Sequence, residues 1–592
     1  MAVYTRPGVY VQETLNPIAP TPGVASLSIA AFIGTSDRGP TSAATLVTSW
    51  SQYVSKFGGW NTISNNNLPI AVYLFFANGG TQAYITRVLG NTTSAVVTAA
   101  SWTSASGGTV TYTANNTFTS GQTVTVTGLA NSAWNVSGAT IATATSTYFT
   151  VTGIATATNL TGVTATATAI TGYPTVATRT LSDRAGSPLP TLTIASNNSG
   201  TWGNSLYIAI QDSLSTGYFN VIVYLGGTTS GYIVEQWTDV TMKSTDARYA
   251  VTVINQNSAY ITATDLLSTS GSPTSNPAVT GTNTNLVPVV LSGGSDNNNV
   301  SSANISSALS LFDTIASTLI LNIPGFTDVT TVNLALAYAT GSTRSNDVFV
   351  IIDGINDTAT NQLALAATYS ATSSGAVYYP QITISDPTAA VGSPTGATKT
   401  VGAGGAVAGL FARTDASRGV FKAPAGLQAR LSNVVSVPSL STTDLGNLNN
   451  GTVPVNAIRY ITGSGFVVMG ARTLKQGYVD KYVPVRRTLT YLEKSLSDLT
   501  QFAIFEPNNQ VLWNRINSVV GNFLNQFWGQ GGLFGNTPSS AFFVKCDSDV
   551  NPQPSIDNGF VNIQVGVSLQ RPAEFIIINI GQFNGGTTVT TA

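Results

Sequence analysis

The residues best placed to do chemistry are Asp353 and Asp386, each closing a strand of an expected parallel sheet. Catalytic groups of α/β enzymes often sit at such strand ends. As a pair the two carboxylates would suit a metal ion or acid–base work. As separate groups they form turns or cap the next helix, with Asp357 nearby, and this is the favoured reading. Gly402–Gly409, GAGGAVAG, has the glycine density of a phosphate loop. It lacks the lysine of G-x-x-x-x-G-K-[ST], and no strand clearly leads into it, so a flexible loop ahead of the helix AGLFARTD is favoured. The basic pair Arg486 and Arg487 stands just ahead of a helix, open to a solvated face, an internal salt bridge or a contact with another subunit.

The chain has no histidine, which removes imidazole acid–base chemistry, the Ser-His-Asp relay and most zinc sites. Cys546 is the only cysteine, so no disulfide can form within the chain. No catalytic, cofactor-binding or metal-binding residue is therefore expected. The opening MAVYTRPGVY lacks the basic and apolar regions of a signal peptide. No apolar run approaches the ~18–20 residues that span a bilayer, so no membrane insertion is expected.

Only 8% of the 592 residues are charged, against about 25% in average soluble proteins, while 43% are hydrophobic. A folded protein is favoured over disorder, with surfaces that neighbours can cover at little cost in desolvated charge. With 24 Lys+Arg against 25 Asp+Glu, nucleic acid is not an expected partner.

These residues need a multidomain framework of α/β plus all-β parts. Residues 1–23 read as an extended arm, a short strand Gly8, Val9, Tyr10, Val11, Gln12, Glu13 followed by Pro17, Pro20 and Pro22. Residues 24–90 together with 290–400 alternate strand and helix, which predicts a central, mostly parallel sheet. That part holds the strands IAAFIG, LILNIPG, DVFVIIDG and AVYYPQITIS, and a helix LPIAVYLFFANGG capped by Gly79. Residues 91–178 carry no Asp, Glu, Lys or Arg and alternate Thr with Val, a separate inserted all-β barrel or sandwich. Its repetitive tail leaves low-complexity disorder as the other reading. Residues 179–289 read as a second β-rich domain. Residues 401–592 form an α+β C-terminal domain with two amphipathic helices. One carries Leu489, Leu492, Leu496, Leu499 and Ala503; the other carries Leu512, Ile516, Val519, Phe523 and Phe527. A final strand runs through Glu574, Phe575, Ile576, Ile577, Ile578, Asn579 and Ile580.

Several runs occur in a familiar order: PGVYVQE, AFIGTSDRGP, AVYYPQITISDP, AGLFARTDASRGVFKAPAG, ARTLKQGYVDKYVPVRRT, FEPNNQVLWNRI, AFFVKCDSDVNP and RPAEFIIINIGQF. Together they resemble the contractile-tail sheath proteins of bacteriophages, over roughly 1–90 and 180–583. The resemblance implies a subtilisin-like central domain and a non-enzymatic helical homopolymer. It also implies partners, namely an inner tail tube protein, a baseplate and a tail terminator, and a place in the virion tail after assembly in the host cytoplasm. The family sets its C-terminal domain innermost. Residues 401–592 hold 14 basic and 10 acidic side chains, leaving 10 and 15 for the rest, so a mildly basic face is expected to meet the tube. Its candidates are Arg472, Lys475, Lys481, Arg486, Arg487, Lys494 and Arg515. The 1–23 arm and the Glu574–Ile580 strand are expected to pair with neighbouring copies, and the 91–178 insert to lie on the outer surface.

A related bacteriocin or injection device would share all of this. A secreted adhesin would explain the Thr-rich insert but should carry an export signal; an α/β hydrolase would explain the central domain but has no plausible base.

Overall fold

The computed structural model describes residues 29–574, apart from 61–66, 91, 105–106, 117, 119, 122, 130–131, 155–159, 171–173, 267–275, 297–299, 390–395 and 478–479. The N-terminal arm and all of the last expected strand beyond Glu574 lie outside the described residues. The described chain divides into two compact units, residues 28–417 with 424–483, and residues 418–423 with 484 onward.

The larger unit is built on an eight-stranded sheet. Its order is Thr45–Val47, Gln82–Arg87, Ile29–Gly34, Leu319–Asn322, Val348–Asp353, Gly375–Tyr379, Val455–Ile461, Gly465–Val468. The two outer pairs are antiparallel and every pair between them is parallel. The sheet thus takes in residues 455–468, which the sequence groups with the C-terminal domain. Strands such as Ile29–Gly34 and Val348–Asp353 are buried at every position, as apolar runs covered on both faces must be. One face buries Ile29, Ala31, Leu321, Val350 and Val377 beneath the helices Ser302–Ser310, Val329–Thr340 and Ala359–Ala366. On the other, Phe32 meets Phe75 edge-on at 5.6 Å, and Phe411 lies against Phe349 and Tyr378.

Those last contacts come from the helices Asn67–Ala77 and Gly404–Arg418, which approach each other through glycine. A β-carbon at Gly405 would lie 2.2 Å from the Ala71 carbonyl oxygen, and one at Gly409 would lie 2.4 Å from that of Phe75. The Gly402–Gly409 run is therefore mostly helix, which corrects the expectation of a flexible loop. Its glycines serve close backbone contact.

The expected strand AVYYPQITIS is also two elements. Gly375–Tyr379 joins the parallel sheet, while Ile382–Ser385 pairs with Thr398–Val401 in a separate antiparallel hairpin. Pro380 stands between them and has no N–H to continue a ladder.

Residues 92–170 close into a six-stranded barrel, ordered 92–103, 109–113, 148–152, 139–144, 123–127, 160–170. The Thr/Val alternation explains it: Val124 and Val126 point into a core with Tyr112, Trp134 and Phe149, while Thr127 faces solvent. Tyr112 stacks on Phe149 at 4.9 Å and donates its hydroxyl to the Trp134 carbonyl at 2.8 Å. Residues 178–290 supply a three-stranded and a four-stranded antiparallel sheet. Leu192 and Ile194 of the first share one core with Ile208, Val221 and Val223 of the second.

In the smaller unit, Val483–Thr500 (from Pro484) and Gln510–Gly529 are helices, and Phe542–Lys545 pairs with Gln564–Val567. The second helix buries Leu512, Trp513, Ile516, Val520, Leu524 and Phe527. Val519 and Phe523, expected on the core stripe, are only half-buried. The true stripe follows 3.6-residue periodicity one position later. Val420 joins this core from the short segment 418–423, and Phe421 meets Phe527 edge-on at 5.9 Å.

Candidate functional site

Asp353 ends its strand fully buried, and the loop from Gly402 wraps its carboxyl group. Oδ1 accepts the Gly404 N–H at 2.6 Å and Oδ2 accepts that of Gly325 at 3.3 Å. Gly404 is the first residue of the Gly404–Arg418 helix, so the carboxylate occupies the anion position that a phosphate would take. A β-carbon at Gly402 would sit 2.3 Å from the carboxyl group, which fixes glycine there. Asp386 directly follows the first strand of the separate hairpin and accepts from the N–H and hydroxyl of the nearby Thr388. The two carboxylates therefore have different employments, Asp353 at a helix N-terminus and Asp386 in its own turn. Among the described residues no group of three or more Cys, Asp or Glu is gathered to hold a metal ion.

Burial pushes the Asp353 carboxyl above the usual carboxylate range, against the pull of the Gly404 and Gly325 N–H groups and the Asn322 amide. With the folded value above the unfolded ~3.9, this group's contribution is full below the unfolded pKa and declines as pH rises through the folded one. Asp353→Asn keeps an oxygen for Gly404 and cannot ionise, so it should flatten that decline. Asp353→Ala leaves the buried Gly404 N–H unpaired and a cavity beside it, and should remove about 2–4 kcal/mol. Urea midpoints across a pH series check both; identical slopes for Asp353→Asn and the unaltered protein would count against this account.

Arg87 is a second buried centre, and in the sequence it is the last charged residue before the charge-free run. It donates to the carbonyls of Ser36 (2.9 Å), Asp37 (3.0 Å), Gly39 (3.2 Å) and Ser199 (2.9 Å), and faces Asp296 at 3.7 Å. Asp296 in turn accepts from the Thr201 N–H at 3.1 Å and from the Thr201 hydroxyl. Burial lowers the guanidinium to about 10, offset in part by Asp296 and Asp37. Arg87 thereby ties the central sheet to the loops of the second β-rich part, beside the entrance to the barrel.

The seven expected tube-facing cations fall into two groups. Arg472, Arg486 and Arg487 are buried. Arg472 donates to the Asn449 carbonyl at 2.7 Å, and Arg486 pairs with Glu493 at 2.9 Å. Lys475 and Arg515 are exposed, Lys481 and Lys494 half-buried. Arg515 lies over the Phe502 ring at 4.2 Å, Lys481 over Tyr482 at 5.2 Å, and Lys494 pairs with Asp498 at 3.3 Å. Cys546 is buried. The Gly8–Glu13 and Phe575–Ile580 strands lie outside the described residues, but Glu574 is reached seven residues after the Gln564–Val567 strand ends. Among the described residues that strand and Phe542–Lys545 form a sheet of two, leaving an outer edge on each.

The family described as phage tail sheath C-terminal domain matches residues 480–583. Over 179 residues the chain is 27% identical to the tail sheath protein of Vibrio phage KVP40, a match covering 30% of this chain and 25% of that protein. The match thus spans only a quarter of the curated relative's length. Among solved structures, the chain is similar to a sheath tail protein of Listeria innocua, with a TM-score of 0.52 at 11% identity over 93% of this chain and 97% of that one. It is also similar to the helical sheath of the anti-feeding prophage in its contracted state, with a TM-score of 0.50 at 18% identity over 98% and 100%. A sheath tail protein of Desulfitobacterium hafniense gives 0.50 at 11% over 91% and 94%. At these identities the likeness is one of fold.

Proposed function

We propose, from a chain whose residues 480–583 belong to the phage tail sheath C-terminal domain family, that this protein is the structural subunit of a contractile sheath. That match is the observation that carries the reading. The protein is a part of a machine and not an enzyme. Copies stack helically around an inner tail tube, joined to a baseplate and a terminator, as a component of the virion tail assembled in the host cytoplasm. Such a polymer needs heterologous contacts that generate open helices.

The two-stranded sheet of residues 542–567 supports a mechanism for those contacts. An arm from one neighbour and a terminal strand from another can each add to one of its edges, through main-chain hydrogen bonds that survive rotation of the linked bodies. We read residues 1–23 and the strand from Glu574 to Ile580 as those additions. Contraction is then a change between two packings of one linked lattice, released at the baseplate. At about 25 cal/mol per Å2, a few hundred Å2 of extra apolar burial releases several kcal/mol per subunit. No nucleotide is needed if the extended lattice is kinetically trapped. We take the eight-stranded sheet as the subtilisin-like domain of the family and place the barrel on the outside of the cylinder. Sedimentation of the purified protein tests the reading: continued growth with concentration supports it, and a closed oligomer of fixed size contradicts it.

For the tube contact, the accessible cations Lys475, Lys481, Lys494 and Arg515 remain the proposed set. Exposed charge pairs are weak and screened by salt, which suits a contact that must break on contraction. Reversing Lys475, Lys481 and Arg515 to Glu should leave the unfolding midpoint unchanged and weaken association with the tube. Association that ignores both the reversals and added salt would sink the electrostatic contact.

A further inference from the structure

Phe505 combines two features that rarely meet. Its side chain is fully exposed, and its backbone sits at φ +64°, a region that bulky residues avoid. Strain of this kind persists where the surroundings impose it, and it marks functional positions. Around it Ile504 is 65% exposed, Val511 77% and Phe560 63%. Hydrogen bonds link the chain segments that carry them. Trp513 donates its indole N–H to Asn508 Oδ1 at 2.8 Å, and Asn508 Nδ2 donates to the Phe560 carbonyl at 2.9 Å. Asn509 caps the Gln510–Gly529 helix by accepting from the N–H groups of Val511 and Leu512. Four large apolar side chains are thus presented to solvent from hydrogen-bonded stretches of one compact unit.

We infer that this patch is a contact surface for a second copy of this chain, with Phe505 as its anchor, and the inference rests on the sheath reading above. Three observations select that occupant. Four side chains of this size offer roughly 400–600 Å2, below the ~800 Å2 per partner of a stable pairwise complex. A contact of that size is effective when other links already hold the copies together and raise their effective concentration. The four side chains are apolar, which suits a partner as nearly neutral as this chain, whose net charge is −1. Phe560 lies four residues before the strand Gln564–Val567, so the patch continues the surface proposed to receive neighbouring arms.

The test compares full-length protein with Phe505→Gly and with Phe505→Ser combined with Val511→Ser, in sedimentation first without the tube and then with it added. Phe505→Gly relieves the positive φ, so the monomer should melt slightly higher while the concentration needed for polymerisation rises about tenfold or more. That opposition of sign is not produced by a misfolded variant. The double serine variant should raise the threshold further at an unchanged monomer melting temperature, and Phe505→Leu should restore most of the assembly. Polymerisation of all variants at the original threshold overturns the inference and leaves the sheath reading intact. Normal polymerisation with failure to engage the tube also overturns it, and assigns the patch to the tube instead. An unaltered chain that never polymerises defeats the sheath reading itself, and the patch proposal with it.

Discussion

Replacing Arg87 by Ala is expected to remove about 3–5 kcal/mol from the larger unit, the cost typical of breaking a buried charge cluster from one side. Domains of this kind hold only about 5–15 kcal/mol in all, so the loss should appear as a large fall in the urea midpoint and as a protease-sensitive monomer. The size follows from what the substitution strands. Four carbonyls lose their donor, those of Ser36 and Gly39 buried and those of Asp37 and Ser199 partly so, and Asp296 loses its counter-charge. Arg87→Lys should recover little, because a single ammonium cannot spread donors over four acceptors as a planar fork does. A midpoint within ~0.5 kcal/mol of the unaltered protein would show that the clasp is dispensable.

Deleting residues 2–20 is expected to abolish polymerisation while leaving the unfolding of the monomer unchanged. The segment Gly8–Glu13 has the alternation of an added strand, and the prolines that follow it favour an extended tether. The loss should be complete, because without the strand each copy keeps an open sheet edge and no directional link to the next. Truncated protein that forms normal cylinders would place the linkage elsewhere.

How much of this was legible in the sequence depended on whether the signal was local. The Thr/Val alternation of residues 92–170 and the apolar runs at Ile29, Leu319 and Val348 report their own burial, since a period of two or a buried run is a property of neighbouring residues. The division of AVYYPQITIS is legible in Pro380, which has no N–H to continue a ladder. Asp353 stands out in the sequence by its place at a strand end. Its partner proved to be the N-terminus of a helix begun by Gly404, which lies 51 residues along and cannot be read from spacing. The glycines of Gly402–Gly409 look like a ligand loop because both uses of glycine, for a phosphate or for a neighbouring helix, demand an absent β-carbon. Arg87 depends on carbonyls up to 112 residues distant, so only its position at the edge of the charge-free run hinted at a role. The buried state of Arg472, Arg486 and Arg487 was hidden similarly, because a basic side chain gives no sequence signal for burial. Phe505 could have been noticed as an apolar residue beside the Glu506-Pro507 turn, but its positive φ belongs to the folded chain alone.

Electron microscopy of the purified full-length protein, at concentrations where sedimentation shows growth, is the most direct test of the central claim. The account predicts long hollow cylinders built of one repeating subunit, with a lumen wide enough for an inner tube. Monodisperse globules at every concentration would contradict it.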